Sequence, residues 1–328
     1  MPKKSANVAV VGAGAWGTAI AVTAANAGSN VTLWALEKEV VESVNKSHEN
    51  KVFLAGCKLP KKIKATGELK DILNKEAIFL VTPSQFVGKT CEQLKKLKLP
   101  KKTPLVLCSK GIDQKSLKLM SEVVEEILPN PIAILSGPTF ADEIASNLPA
   151  SATVASRDPR LADKIGKMVS HRLFKVHYSK DIIGSQISGS AKNVLAIACG
   201  IAAGRKLGQN AQAALITGGL AEIRRLCIAK GGRSETIQGL CGLGDVILTC
   251  GSQKSRNMSL GFALGQGKSL EAYMKSRKTV AEGVYSADSV TRLAKKLGVD
   301  MPIMEAVNRI LHHKEKIDVI VEELISNS

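Results

Sequence analysis

The stretch Asn7-Val8-Ala9-Val10-Val11-Gly12-Ala13-Gly14-Ala15-Trp16-Gly17-Thr18 constrains what this chain can fold into more than any other. Residues 8–11 form the short apolar, β-branched run of a buried strand, and residues 15–27 a helix-forming stretch stopped by Gly28. The three glycines of this stretch have separate jobs. Gly12 permits a tight turn, Gly14 lets the backbone approach a pyrophosphate, and Gly17 lets the helix lie close on the strand. The unbonded N–H groups of the helix's first turn then face a diphosphate. A second strand follows at residues 31–34. Glu37, 20 residues past Gly17, stands where an acid grips a ribose hydroxyl. Strand, turn, helix, second strand and acid together define a dinucleotide site.

The length of 328 residues accommodates two domains of ordinary size. A net charge of +17 favours anionic partners, phosphorylated metabolites among them. The lysines are scattered in pairs such as Lys61-Lys62, Lys95-Lys96, Lys101-Lys102 and Lys295-Lys296, and only 3% of residues are aromatic. With so little to stack on bases, the charge reads as solvated surface and not as a specific nucleic-acid site. Seven cysteines, odd in number and without a C-x-x-C pair, read as small core hydrophobes in a reducing, cytoplasmic setting. No metal site is expected, since His312 and His313 are adjacent and point to different helix faces. Residues 1–4 lead straight into the first strand, which leaves no room for a signal peptide. The longest uncharged apolar stretch, residues 194–204, is too short to span a bilayer.

Strand and helix signals alternate through the first half. Helix is expected at 37–47, strand at 77–81, helix at 84–96 capped by Ser84, strand at 104–108, helix at 115–127 and strand at 131–135. Runs at 152–155 and 173–177 extend the sheet. This is an α/β pattern, a doubly wound, mainly parallel sheet covered on both faces. From about Asp181 only helical periodicity remains, at 191–203, 211–229, 259–264, 286–297 and 303–313. The expected division is therefore a dinucleotide-binding domain at 1–187 and an all-helical substrate domain at 188–328. A helical domain at the carboxyl ends of the strands would close a cleft for a substrate.

Five segments carry the chemistry. Ser109-Lys110-Gly111 and Ser136-Gly137-Pro138-Thr139-Phe140-Ala141 each follow a strand. Lys192-Asn193 sits in an otherwise apolar, small-residue helix, where a lysine is costly unless paired or employed. Gly244-Asp245 and Ser255-Arg256-Asn257 supply a carboxylate, a hydroxyl, a guanidinium and an amide.

These motifs resemble, in order and over most of the chain, the bacterial-type branch of the NAD(P)-dependent glycerol-3-phosphate dehydrogenases. Ala214-Leu215-Ile216-Thr217 and Glu282-Gly283 add to the likeness. The resemblance implies a Rossmann-like domain followed by a helical one, usually as a homodimer. It also implies reversible hydride transfer between NAD or NADP and C2 of dihydroxyacetone phosphate or sn-glycerol 3-phosphate, a small phosphorylated metabolite. Lys192 then matches the general acid/base. Lys110, Gly137, Thr139, Lys192, Asp245, Ser255, Arg256 and Asn257 match substrate contacts. Ala15, Trp16, Lys110, Ala141, Arg256 and Glu282 match cofactor contacts, beside Gly12, Gly14, Gly17 and Glu37.

Two positions depart from the family. Leu36 and Gly218 each stand where arginine is common. An apolar Leu36 beside Glu37 favours NAD(H) at least equally with NADP(H). Two other readings stay open at this stage: a related two-domain hydroxy-acid dehydrogenase, and a basic, non-catalytic dinucleotide-binding protein.

Overall fold

The computed structural model describes residues 5–275 and 281–326; residues 1–4, where the lead-in to the first strand was read, lie outside them. The chain divides into two compact units, Met1–Ser109 with Met120–Ile182, and Lys110–Leu119 with Ile183–Ser328.

In the first unit the strands are β1 (Asn7–Val11), β2 (Asn30–Trp34), β3 (Glu49–Asn50), β4 (Leu54–Lys58), β5 (Ile63–Thr66), β6 (Ala77–Leu80), β7 (Leu105–Leu107), β8 (Ile132–Ser136), β9 (Ala150–Ala155) and β10 (Phe174–Ser179). Eight of them form one sheet in the order β10-β9-β8-β7-β6-β1-β2-β5. Every pair is parallel except β8 with β9. The helices are α1 (Ala15–Asn26), α2 (Lys38–Ser47), α3 (Val87–Lys96), α4 (Met120–Ile127), α5 (Ala141–Ala145) and α6 (Pro159–Val169). Val8, Val10, Phe79 and Val106 share one apolar cluster with α1, α2, α5 and α6. Ala9, Val11, Ile78 and Leu80 alternate with them toward the other face and are equally buried.

Register sets the working edge of this sheet. Val11 is level with Trp34 and with Leu80, and Leu80 with Leu107. The residues just after these four strands, Gly12, Ala35, Val81 and Cys108, therefore emerge at one edge.

Several local expectations are corrected. The helix read at 115–127 begins only at Met120. Before it, the Asp113 carboxylate accepts the N–H groups of Lys115 and Ser116 and the Ser116 hydroxyl, and Leu117 adopts φ 58°. That side-chain turn outcompetes helix, and Ile112 and Leu119 bury in the core of the second unit. Ser84 caps nothing: it lies inside a 3₁₀ turn, Ser84–Phe86, ahead of α3. The β3–β4 hairpin and edge strand β5 carry no sequence signal of their own, because they are short and β4 is mostly exposed, which leaves no apolar alternation to see.

The second unit's described elements are helical: α7 (Ile182–Gly204), α8 (Gly208–Ala229), α9 (Ser234–Gln238), α10 (Asp245–Cys250), α11 (Arg256–Gly265), α12 (Leu270–Lys275), α13 (Glu282–Lys296), α14 (Pro302–His312) and α15 (Ile317–Ser326), with a π turn at Leu240–Gly244. The break between units falls at Ile182/Ile183, the start of α7, and the expected division at 187/188 lies inside that helix. By length and composition α7 could cross a membrane, but its apolar window is 89% buried inside the protein. It is a core helix, longer than its uncharged stretch because Lys192 and polar residues extend it. Glycine allows α11 to touch it: a Cβ on Gly261 would stand 2.1 Å from the Ile197 carbonyl oxygen, and one on Gly200 2.3 Å from that of Met258. This contact holds the residues at the start of α11 beside those midway along α7.

Glu222 of α8 pins the start of α14. Its carboxylate accepts the N–H groups of Ile303 (2.8 Å) and Met304 (3.2 Å), two of the donors a helix start leaves unsatisfied. One turn earlier, Gly218 leaves room for Ile303, whose Cδ1 lies 3.0 Å from where a Cβ would stand. Burial pushes the Glu222 carboxyl up to about 7, against the pull of those two N–H groups. A carboxyl raised in the folded state contributes stability that is full below about pH 4.5 and is lost as pH rises through about 7. Glu222→Gln is expected to remove that dependence. The thermal midpoint of the native chain should fall relative to that of the variant between about pH 5 and pH 7.5; parallel curves would refute the assignment.

Candidate functional site

In the first unit the site begins at the glycine turn. Gly12 adopts φ +109°, and a Cβ there would stand 3.0 Å from the Val81 carbonyl. A Cβ on Gly17 would stand 1.8 Å from the Gly12 carbonyl oxygen, so α1 lies directly on the turn. At Gly14, the residue before α1, no described residue lies within 4 Å of where a Cβ would be, its chain neighbours aside. No side chain caps α1, and no acid occupies its first turn. The Trp16 Nε1 is buried and has no hydrogen-bond partner among the described residues. Open space, an uncapped helix start and an orphaned donor together suit an anionic group, the pyrophosphate of a dinucleotide above all.

A residue that sequence reasoning missed holds this turn in place. Asn50, fully buried at the end of β3, donates from Nδ2 to the Ala13 carbonyl (2.7 Å) and to Thr18 Oγ1 (2.8 Å). Its Oδ1 accepts the Phe53 N–H. Nothing local marks this role, since the two turn residues it donates to lie more than 30 residues away.

Elsewhere on the sheet unit, Glu37 precedes α2 and leaves that helix without a side-chain cap. Leu36 is 77% exposed, and Lys38 is exposed beside Glu37. Gly137 lies so close to β9 that a Cβ would approach Ala152 Cα to 2.9 Å. Thr139 donates from Oγ1 to the Gly137 carbonyl (3.1 Å), and Ala141 opens α5.

The second unit brings Lys110, Lys192 and Asp245 together. Lys192 Nζ donates to Asp245 Oδ1 (2.5 Å) and to Thr249 Oγ1 (2.7 Å), while Lys110 Nζ donates to Asp245 Oδ2 (2.7 Å). Lys192 is 6% exposed and Asp245 1%. Burial pushes the Lys192 ammonium down to about 8; Asp245 works against that shift and Lys110 adds to it. An ammonium in that range gives and takes a proton near neutrality. Thr249 was not picked out from the sequence, although it stands one helical turn after Asp245 on the same face of α10.

Beside this cluster, the Ser255 hydroxyl accepts the Met258 N–H and caps α11. Arg256, the first residue of α11, is exposed. Asn257 is buried: its Oδ1 accepts the Gly283 N–H (2.9 Å) and its Nδ2 donates to Asn193 Oδ1 (3.0 Å). That uses one of the oxygen's two lone pairs and one of the two amide hydrogens. Glu282 stands next to Gly283 in the first turn of α13. Among the described residues no three His, Cys, Asp or Glu side chains converge as a metal site.

A glycine turn on a parallel sheet, with a buried lysine poised to exchange a proton, defines a dinucleotide-dependent oxidoreductase. Residues 7–162 match the family described as NAD-dependent glycerol-3-phosphate dehydrogenase N-terminus, and residues 181–322 the one described as its C-terminus. The chain is 50% identical over 320 residues to the glycerol-3-phosphate dehydrogenase [NAD(P)+] of Parvibaculum lavamentivorans, covering 97% of this chain and 96% of that one. It is 49% identical to that of Caulobacter vibrioides, with the same coverage. The crystal structure of glycerol-3-phosphate dehydrogenase from Coxiella burnetii superposes with a TM-score of 0.94 at 38% identity, covering 98% of this chain and 99% of that one. This chain belongs to the NAD-dependent glycerol-3-phosphate dehydrogenase family.

Proposed function

We propose that this protein catalyses the reversible reduction of dihydroxyacetone phosphate to sn-glycerol 3-phosphate with NADH or NADPH, feeding glycerophospholipid synthesis. The observation that carries the reading is the buried Lys192 ammonium, held by Asp245 and Thr249 with its pKa lowered to about 8. When bound, the nicotinamide cofactor supplies a hydride for C2 of the ketone. Reduction leaves negative charge on the C2 oxygen, and Lys192 donates the proton that neutralises it. In the reverse direction neutral Lys192 takes that proton back. Asp245 orients the ammonium, and Lys110 balances the carboxylate so that Asp245 does not hold the proton too firmly.

Gly12, Gly14, Gly17, Ala15, Trp16 and Glu37 would hold the dinucleotide, with Lys110, Ala141, Arg256 and Glu282 as further contacts. Gly137, Thr139, Ser255 and Asn257 join Lys110, Lys192 and Asp245 in contacting substrate. Arg256 at the start of α11 is the main phosphate ligand, because its guanidinium offers a fixed fork of donors at a helix N-terminus. Asn257 serves mostly to seat Gly283 and Asn193, its remaining amide hydrogen being the part open to substrate. A hydroxy-acid substrate would leave that phosphate fork without work. The working form in this reading is a cytoplasmic homodimer, in a reducing setting that suits seven free cysteines.

The test is an absorbance assay of NADH or NADPH oxidation, without added metal, comparing dihydroxyacetone phosphate with unphosphorylated dihydroxyacetone. Turnover is expected on the phosphorylated ketone. Arg256→Ala should raise its KM by about tenfold or more, the loss of a charged hydrogen-bonding partner. Absence of turnover with both cofactors in folded protein defeats the reading. An unchanged KM removes Arg256 from the phosphate.

Cofactor choice follows from the residues after β2. A 2′-phosphate needs a cation there, and the chain offers exposed Leu36 and then Glu37. Lys38 can reach only as a flexible point charge without arginine's planar fork. NADH is therefore expected to be used at least as well as NADPH. A ratio of kcat/KM favouring NADPH by about tenfold, about 1.4 kcal/mol, would show that Lys38 or another cation overrules Glu37.

A further inference from the structure

One strongly charged face of the sheet unit has no part in this chemistry. Lys95, Lys96, Lys98, Lys101 and Lys102 fall within eight residues where α3 ends and the chain turns into β7. All five are exposed, and none forms an ion pair or side-chain hydrogen bond with another described residue. The sequence holds no acid between Glu92 and Asp113. On the neighbouring helix α4, Glu125 is already paired with Arg157. The backbone carrying these lysines is well held: Leu94 and Leu99 are buried, and Asn130 Nδ2 donates to the carbonyls of Pro100 (2.9 Å) and Thr103 (2.8 Å). Leu97, in the middle of the run, is 38% exposed.

Topology decides which way this face looks. β1, β6 and β7 are parallel; the glycine turn follows the carboxyl end of β1, whereas the lysine loop precedes the amino end of β7. The two therefore lie at opposite edges of the sheet. A large partner covering the lysines leaves the glycine turn open.

We propose that this face docks on the surface of a bilayer containing anionic phospholipid. Four to eight clustered cations beside exposed apolar surface fit that partner: lysines meet the headgroup charge, and Leu97 seats at the boundary with the acyl chains. Single-stranded nucleic acid fits poorly, because residues 87–112 contain no aromatic side chain on which a base could stack. The absence of arginine from the same stretch removes the forked donor that nucleic-acid phosphates favour.

The experiment is co-sedimentation of the full chain with phosphatidylcholine vesicles, with and without about 30 mol% phosphatidylglycerol, at about 0.1 M salt. Binding is expected only to the anionic vesicles. The combined variant Lys95→Gln, Lys98→Gln, Lys101→Gln, Lys102→Gln should weaken it by about tenfold or more. A control with equal charge removed elsewhere, Lys206→Gln, Lys268→Gln, Lys295→Gln, Lys296→Gln, should keep it. Thermal melting verifies that both variants fold; if the first does not, the loop pair Lys101→Gln, Lys102→Gln makes the same comparison with a smaller loss. No binding to anionic vesicles overturns the proposal, as does equal weakening by both variants, which would assign the effect to overall charge. Tighter binding to duplex DNA at equal phosphate concentration also overturns it, in favour of a nucleic-acid face.

Discussion

Lys192→Ala is expected to lower kcat for dihydroxyacetone phosphate reduction by at least about 10²-fold, the low end for loss of a general acid, while dinucleotide affinity stays nearly unchanged. The fold should survive the change. Asp245, the buried partner left behind, still accepts a 2.7 Å hydrogen bond from Lys110, so no carboxylate is stranded without a counter-charge. The native pH profile gives a second readout. Ketone reduction needs Lys192 protonated, and burial holds its ammonium at about 8. The rate should therefore fall as pH rises through about 8, and that limb should vanish from the residual activity of the variant. A small change in kcat, with the same pH limb retained, would make Lys192 a structural lysine and move the proton donor elsewhere.

Gly17→Ala should cost dinucleotide affinity about tenfold or more, equivalent to about 1.4 kcal/mol, with kcat at saturating cofactor much less affected. The added methyl would stand 1.8 Å from the Gly12 carbonyl oxygen and 2.9 Å from its carbon. Those are backbone atoms of the turn itself and cannot rotate away, so α1 must move off the strand or the turn must open. Either movement displaces the uncapped first turn of α1 from the place where a pyrophosphate would sit. Overpacking of this kind typically costs about 1–3 kcal/mol of stability as well. Gly14→Ala is the matched control, because its methyl meets nothing within 4 Å among the described residues beyond its chain neighbours. Its effect reports only crowding against the ligand. Dinucleotide fluorescence titration of the two variants separates the cases; unchanged affinity in Gly17→Ala would mean that the helix start does not hold the diphosphate.

Much of the site was legible because its signals are local. Gly12, Gly14 and Gly17 are constrained by a turn whose strand and helix adjoin them in sequence, so the fingerprint and the conformation it demands can be read together. Lys192 stood out because a cation amid Ala, Val, Leu and Ile must find a partner or be costly, whichever way the helix packs. The same argument could not name that partner. Asp245 lies 53 residues away and Lys110 lies 82 residues away on the other side, and only the packing of α10 and the 110–119 excursion brings them to one ammonium. Asn257 shows the same limit. Its place beside Ser255 and Arg256 could not reveal that its oxygen accepts the Gly283 N–H or that one of its two amide hydrogens goes to Asn193, 64 residues away.

The fold divides along the same line. Alternating strand and helix runs, with apolar strands buried on both faces, were sufficient for a mainly parallel sheet and a helical second half, because the periodicity of side chains reports burial directly. Strand order, the antiparallel β8–β9 pair, the β3–β4 hairpin that carries Asn50 and the departure of Lys110–Leu119 into the helical unit depend on contacts between distant segments. The sequence by itself determined which residues could turn, bury and carry charge, since those are properties of each side chain and its near neighbours. Only the tertiary structure decided that Lys192 shares Asp245 with Lys110, that Asn50 braces the glycine turn and that the lysines around α3 face away from it. Each of these is a matter of which distant atoms come within a few ångströms, and no local pattern encodes that.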